Sequence, residues 1–247
     1  MISDNQPCVI LVNPQLAVNI GMSARAMMNC GLYQMRLVAP REDHLSEYAV
    51  SAASGAEKIL FDAKVYTTAA EAVADLEKIF ATTARRRDMI KIVNTAEAAA
   101  VKITSGLSEN IRCGILFGPE RTGLHNDDIV LSDEIIEIPL NPEHCSLNLS
   151  QAVLLVGYEL YKKQISVPET RLITNKTKPA PKEQLARFFA YLETELEERH
   201  TFRSDEKKPH MIRNIRNIFQ RMELTEQDIS TLYGIINHLA GKSNRHK

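Results

Sequence analysis

Residues 138–153 read Ile-Pro-Leu-Asn-Pro-Glu-His-Cys-Ser-Leu-Asn-Leu-Ser-Gln-Ala-Val and join an apolar run to a segment of helical character. The middle of this stretch is too polar for a hydrophobic core. Residues 114–123, Gly-Ile-Leu-Phe-Gly-Pro-Glu-Arg-Thr-Gly, have the same design, a short β-type run followed by a glycine and proline loop. Ligands of open parallel α/β sheets bind outside the carboxyl ends of the strands. The two loops therefore predict one pocket made largely of main chain.

Short apolar runs alternate with amphipathic segments on both sides of these loops. Strands are predicted at residues 8–12, 35–38, 64–66, 79–82, 112–117 and 134–138. Helices are predicted at about residues 19–30, 46–54, 69–78, 96–102, 127–131 and 149–163. Such regular alternation favours an α/β fold, with a mainly parallel sheet and helices on both faces.

The composition changes after the last of these helices. Residues 164–181 contain Val-Pro-Glu-Thr-Arg and Asn-Lys-Thr-Lys-Pro-Ala-Pro without an apolar period, which is typical of a linker. Three amphipathic helices follow, at residues 182–199, 211–222 and 226–239. We therefore predict three parts: an α/β domain at 1–163, a linker at 164–181 and a small all-α extension at 182–247.

Composition limits the class of protein. The 247 residues are 44% hydrophobic, which is enough for a large core, and no apolar run approaches the roughly 18 residues that span a bilayer. The amino terminus lacks the pattern of a signal peptide, so we expect a cytoplasmic protein without a membrane segment. The formal net charge of −1 gives no global attraction to nucleic acid, so a polyanion would have to bind to local clusters.

Several common sites are disfavoured by residue spacing. The four cysteines, at positions 8, 30, 113 and 145, form no Cys-x-x-Cys pair, so we expect reduced and mostly buried thiols. The dispersed histidines predict no metal site. No Gly-x-Gly-x-x-Gly follows a strand, and Ile236 stands where a phosphate loop ending at Ser243 needs its first glycine. An ordinary dinucleotide or ATP enzyme is therefore not expected.

Three motifs occur in order along the chain: Asn19-x-Gly21-x-x-Ala24-Arg25, the run Leu-Phe-Gly-Pro-Glu-Arg-Thr-Gly-Leu at 116–124, and Ile-Pro-Leu at 138–140 with Ser-Leu-Asn-Leu-Ser-Gln-Ala at 146–152. Their order and spacing resemble the SpoU branch of the SPOUT methyltransferases over residues 8–163, and more loosely after 182. Within that branch, residues 82–87 and the helical extension are most similar to enzymes that methylate the ribose 2′-oxygen of a pyrimidine at position 32 of the tRNA anticodon loop.

The resemblance implies a trefoil knot in the α/β domain, S-adenosylmethionine as methyl donor, tRNA as substrate and an obligate homodimer. The residues that it assigns to the cofactor are Thr82, Thr83, Ala84, Leu116, Phe117, Gly118, Ile138, Leu140, Cys145, Ser146 and Leu147. In the family, main-chain groups and apolar walls hold the adenine. That agrees with the pocket predicted from the two loops.

The implied chemistry is an in-line attack of a ribose hydroxyl on a sulfonium methyl group. Orientation of two reactants is worth an effective molarity of roughly 10⁵ M or more, whereas a positioned base gives roughly 10²- to 10⁴-fold. We therefore expect Arg25 to grip the phosphate beside the target ribose, because a guanidinium is a poor proton acceptor. Ser146 and Asn148 are expected at the cofactor carboxylate or the hydroxyl, although Asn148 alone would serve as a helix cap. Glu120 would hold Arg25 or a loop amide.

Basic residues predict the RNA contacts, namely Arg25, Arg85, Arg87, Arg213 and Arg216. Ordinary solvated arginines are the alternative for each of them. Two other functions are compatible with the sequence: a SpoU-branch 2′-O-methyltransferase that acts on ribosomal RNA or at another tRNA position, and a non-catalytic RNA-binding module. The intact residues Arg25, Glu120, Ser146 and Asn148 argue against the module.

Overall fold

A computed structural model describes residues 5–83, 89–143, 146–166, 170, 173, 176–202 and 204–242. The chain forms two compact units, residues 1–167 and 168–247. No helix in the described ranges is both long and apolar enough to cross a membrane.

The first unit contains a seven-stranded sheet. Its strands are β1 (Cys8–Val12), β2 (Met35–Val38), β3 (Lys64–Tyr66), β4 (Lys78–Thr82), β5 (Ile92–Thr95), β6 (Cys113–Phe117) and β7 (Glu134–Glu137). The order across the sheet is β3-β2-β1-β6-β4-β7-β5, and each of these neighbours pairs in parallel. The predicted α/β class with a mainly parallel sheet is therefore confirmed.

The described residues of the first unit form seven helices: α1 (Ala17–Asn29), α2 (Glu47–Ala53), α3 (Glu57–Phe61), α4 (Ala69–Val73), α5 (Ala96–Ser108), α6 (Asn126–Val130) and α7 (Leu149–Gln164), which follows the last strand. Strand β1 shows how they are distributed, because its side chains alternate between two buried clusters. Val9 and Leu11 pack with residues of α1, α2, α3, α5 and α7. Ile10 and Val12 pack on the opposite face with residues of α4 and α6. Helices thus cover both faces of the sheet, as predicted.

Helix α4 is shorter than the sequence predicts. The alanine- and glutamate-rich run at residues 69–78 favours a helix throughout, but α4 ends at Val73. The Asp75 carboxylate instead pairs with the buried Arg36 of β2, at 2.8 Å between Nη2 and Oδ2. Contacts distant in sequence therefore override local helix propensity at this position.

The second unit is a three-helix cluster of α8 (Lys182–Glu198), α9 (Lys208–Gln220) and α10 (Glu226–Leu239). Its core centres on Phe188, whose ring meets Phe219 at 5.1 Å and Tyr233 at 5.5 Å, both edge to face. The last residues of the predicted linker belong to this unit, since Ala180 donates its amide hydrogen to Leu224 O at 2.9 Å. The predicted all-α extension is confirmed as a fold.

Candidate active site

A cavity of about 910 Å³, including its open mouth, lies at the carboxyl ends of β4, β6 and β7. Its walls come from the loops after these strands and from the start of α7. The lining residues are Thr82, Thr83, Phe117, Gly118, Pro119, Glu120, Arg121, Thr122, Gly123, Ile136, Ile138, Leu140, Ser146, Leu147, Leu149 and Ala152. Both loops from which the sequence predicts a pocket therefore border one cavity.

The turn after β6 folds back tightly on itself. The Gly123 amide donates to Pro119 O at 2.8 Å, and Gly123 has a positive φ of 66°. A Cβ on Gly118 would lie 2.1 Å from Leu124 N and 2.4 Å from Gly123 C, which no side chain tolerates. The turn thus requires glycine at both positions, and its backbone forms one wall of the cavity.

Hydrogen bonds hold the ends of β4, β6 and β7 together beneath the cavity. The Thr82 hydroxyl donates to Leu116 O at 3.0 Å, and the Thr83 amide donates to Ile136 O at 3.1 Å. Leu116 itself does not line the cavity. It is fully buried and belongs to the cluster that contains Ile10, so its link to the site is through its carbonyl group.

A chain of hydrogen bonds joins the three sequence motifs. Asn148 Nδ2 donates to Asn19 Oδ1 at 3.0 Å, and Asn19 Nδ2 donates to Glu120 Oε1 at 2.6 Å. The other carboxylate oxygen of Glu120 accepts the Gln15 amide hydrogen at 3.1 Å. Glu120 therefore holds a loop amide, one of the two partners expected from the sequence, and the structure does not pair it with Arg25.

Asn19 was not among the candidate site residues. It is 6% exposed and lies in the first turns of α1, where its amide links Asn148 with Glu120. Its position as the first residue of the first motif is the sequence feature that could have identified it as a site residue. Its partners are more than 100 residues away in sequence, so local pattern could not identify its contacts.

Asn148 begins α7 as its amino-terminal cap. Its Oδ1 accepts the Ser150 amide hydrogen at 2.9 Å, and Gln151 Oε1 accepts the Asn148 amide hydrogen at 3.1 Å. These contacts form a capping box, so Asn148 has the cap role that its sequence position favours. The side chain does not line the cavity, whereas the neighbouring Ser146 and Leu147 do.

Arg25 lies outside the cavity lining of its own chain. It is exposed on α1, and it makes no hydrogen bond or ion pair with any residue that the structure describes. It lies about 9 Å beyond Asn19 along the helix axis, from the rise per residue. Its helix face also exposes Val18 and Met22, at 40% and 41%.

The remaining predicted residues fall into two groups. Ala84, Arg85, Arg87 and Cys145 lie outside the described residues. Arg213 and Arg216 are exposed on α9 in the second unit. Arg216 is held by both Glu193 oxygens, at 2.6 and 2.9 Å, and lies over the Phe189 ring. Of the two, Arg213 is the one without an ion pair, and its Nε donates to Pro209 O at 3.2 Å.

Residues 6–158 match the model of the SpoU rRNA Methylase family. A tRNA (cytidine-2′-O-)-methyltransferase TrmJ of Methanocaldococcus jannaschii is 38% identical over 64% of this chain and 68% of its own. A tRNA (cytidine/uridine/adenosine-2′-O-)-methyltransferase TrmJ of Pseudomonas aeruginosa is 31% identical over 92% and 91%. The crystal structure of TrmJ from Z. mobilis ZM4 is 42% identical, covers 95% of this chain and 99% of its own, and superposes with a TM-score of 0.82.

These likenesses agree with the geometry of the cavity. The family model covers all three sequence motifs, and those motifs are the parts of the chain that meet at the cavity and in the Asn148–Asn19–Glu120 hydrogen-bond chain. The resemblance seen in the sequence is confirmed, and the chain belongs to the SpoU methylase family.

Proposed function

We propose that this protein transfers a methyl group from S-adenosylmethionine to a ribose 2′-hydroxyl of tRNA, at the pyrimidine in position 32 of the anticodon loop. The observation that carries the proposal is that the motifs at 116–124 and 138–152 line one cavity, and that Asn19 of the first motif joins them by hydrogen bonds. The names of the TrmJ relatives support tRNA as the substrate. The position within tRNA rests on the sequence resemblance.

The lining of the cavity suits S-adenosylmethionine. Pockets for such ligands have mostly apolar walls and a few polar groups. Here the apolar walls are Phe117, Ile136, Ile138, Leu140 and Leu147. The backbone of the turn at Gly118 supplies polar groups to the cavity wall. When bound, the donor supplies an electrophilic methyl group on a positively charged sulfur.

The polar chain would hold the loops at the correct separation. Asn19 and the Gln15 amide fix the Glu120 carboxylate, and Asn148 fixes Asn19 while it caps α7. Ser146 lies two residues before that cap and lines the cavity, where its hydroxyl would be available to the ribose hydroxyl. Because the methyl donor has a good leaving group, such positioning accounts for most of the expected rate enhancement.

Arg25 would act on the site of a second subunit. Its position outside the cavity of its own chain leaves no role there, yet it lies on a face of α1 with the exposed Val18 and Met22. Helix α7, which packs against α1, exposes Leu154 and Tyr158 as well. An apolar surface on paired helices favours a homodimer, and the arginine on it would reach across to grip the RNA phosphate.

RNA contacts outside the cavity would come from basic residues on exposed elements. Arg213 is exposed and has no ion pair among the described residues, so it is available for a phosphate. Arg216 would first have to leave Glu193, which makes it the weaker candidate. Arg85 and Arg87 follow the cavity-lining Thr83 in sequence, and they remain part of the proposal on that ground.

Methyl transfer from tritiated S-adenosylmethionine to total tRNA that lacks the modification tests the function. We expect label in the ribose of a pyrimidine nucleotide, which nucleoside mapping would place at position 32. Label in ribosomal RNA alone, or at another tRNA position, would favour a different SpoU-branch substrate. No binding of S-adenosylmethionine in calorimetry would favour a non-catalytic RNA-binding module.

Subunit mixing tests the role of Arg25. At a low S-adenosylmethionine concentration, Arg25→Ala and Gly118→Ala homodimers should both have strongly reduced activity. Mixed dimers should regain activity because one of their two sites has an intact cavity and an intact partner arginine. No recovery in the mixture would contradict action across the interface. Arg25→Lys distinguishes a bidentate grip from a point charge, since full activity with lysine would exclude the former.

A further inference from the structure

Arg121 has no role in the site as described so far, although it lines the cavity. Its side chain is exposed, and it makes no hydrogen bond or ion pair with the described part of the chain. It is also the one basic residue among those that line the cavity within the described ranges. A free guanidinium at the wall of a reactant site is available for an anionic ligand.

The turn that bears Arg121 is fixed at several points. The bond from the Gly123 amide to Pro119 O closes it, and Gly118 packs directly on the Leu124 amide. Glu120 anchors its middle to Asn19, at 2.6 Å. Arg121 therefore projects from a backbone of defined position, which lowers the entropic cost of holding a ligand.

The adjacent carboxylate does not neutralise this arginine. Both carboxylate oxygens of Glu120 accept hydrogen bonds from other groups. One accepts from the side-chain amide of Asn19, and the other accepts from the backbone amide of Gln15. The local polar chain thus separates the two charges of the turn. Arg121 keeps its five N–H donors for a ligand, and the fork geometry of those donors matches a carboxylate or a phosphate.

We propose that Arg121 binds an anionic group of a reactant in the cavity. This inference rests on the proposed function, which supplies two groups of this chemistry. One is the carboxylate of the methionine part of S-adenosylmethionine, and the other is a phosphate of the RNA next to the target ribose. Arg121 is thus a binding residue, distinct from Arg25, and it acts from the same chain as the cavity.

Calorimetry with two ligands distinguishes these sources. If the carboxylate is bound, Arg121→Ala should weaken S-adenosylmethionine binding about 10- to 100-fold, since the free energy of hydrogen bonds to charged groups corresponds to a change in affinity of that size. Binding of 5′-methylthioadenosine should be unchanged, because that nucleoside lacks the carboxylate. If a phosphate is bound, S-adenosylmethionine affinity is unchanged, tRNA affinity falls, and its salt dependence becomes shallower by about 0.7 in the log–log slope.

Arg112→Ala is the matched control. Arg112 is also an exposed arginine, and it contacts Glu77. It comes just before β6, at the amino ends of the strands, whereas the cavity lies at their carboxyl ends. That variant should leave both affinities as in the wild type. If Arg121→Ala also changes neither affinity while the wild type binds both ligands, the proposal for Arg121 is wrong. If the wild type binds neither, the proposed function itself fails.

Discussion

Gly118 shows how a single residue sets the shape of the cavity wall. Any Cβ at this position would meet backbone atoms of the same turn, at 2.1 Å from Leu124 N. Backbone cannot move aside as a flexible side chain would, so the turn would have to open. The close approach, more than any side chain, defines this part of the site.

Gly118→Ala should therefore weaken S-adenosylmethionine binding by about tenfold or more, and overpacking of this kind costs about 1–3 kcal/mol of stability. Calorimetry on the folded variant, with a thermal melt, measures both effects. Gly234→Ala is the control, because a Cβ there meets nothing within 4 Å and α10 gains helix propensity. Equal affinity in wild type and Gly118→Ala would show that the turn adapts.

Asn19 is the residue through which the three motifs are coupled. Asn19→Ala would leave Asn148 Nδ2 and Glu120 Oε1 without their partner, in a place where Asn19 is 6% exposed. Loss of such bonds costs about 1–3 kcal/mol. We expect a lower methyl-transfer rate at saturating substrate with S-adenosylmethionine affinity changed by less than about threefold, measured in steady-state kinetics and calorimetry.

The control for Asn19 is Asn29→Ala, an exposed asparagine in the last turn of the same helix. That variant should retain wild-type kinetics. A rate in Asn19→Ala equal to that of Asn29→Ala would show that the hydrogen-bond chain does not contribute to methyl transfer.

At the scale of single residues, the sequence predicts which loops border the cavity, since their glycines and motifs are local. It could not predict that Leu116 faces the core or that Asn19 bridges two loops.

Among the elements, Glu134 links three strands and a helix at the amino ends of the strands. It begins β7, and its carboxylate accepts hydrogen bonds from Lys102 of α5 and Asn94 of β5 at 2.6 and 2.8 Å. Lys78 of β4 lies 3.1 Å away. Burial alone would raise the pKa of this carboxyl, but the three partners outweigh it and lower the pKa from 4.5 to about 2.

A carboxyl whose folded pKa is lowered stabilises the fold above its unfolded pKa and loses that effect as the pH falls toward the folded value. Glu134→Gln should thus cost about 2–3 kcal/mol at pH 7, and the difference from wild type should shrink between pH 4.5 and 2. Urea unfolding across this range measures it. Glu137→Gln, at an exposed position of the same strand, is the control.

The Glu134 cluster also explains which elements the sequence could not predict. Strand β5, at the edge of the sheet, is not predicted by the sequence. It exposes Ile92 and Val93 and buries Asn94, whose side-chain amide donates to Glu134, so it has no buried apolar face. Strand β1, buried on both faces, was predicted with its bounds intact. Helix α1 starts earlier than predicted since Glu42, far along the chain, accepts the Ala17 amide hydrogen at 2.7 Å.

For the whole molecule, we expect the two units to divide binding between them. Residues 1–167 contain all the described residues of the cavity lining and both buried clusters of the sheet, so they should retain S-adenosylmethionine binding alone. Residues 168–247 have a separate aromatic core and present basic residues, such as Arg213, on the exposed α9. Electrostatic contact with tRNA is the expected contribution of this second unit.

Removal of residues 168–247 should therefore weaken tRNA binding about tenfold or more and flatten its salt dependence, while S-adenosylmethionine affinity stays within about twofold of the full chain. Filter binding at several salt concentrations and calorimetry provide the two measurements. Arg213→Ala in the full chain tests whether the charge of this unit contributes to tRNA binding. It should reproduce part of the loss of tRNA affinity without removing a helix. If the shortened chain binds tRNA as tightly as the full one, the second unit is not an RNA contact. Recognition would then have to come from the surface around the cavity and from Arg25 of the partner subunit.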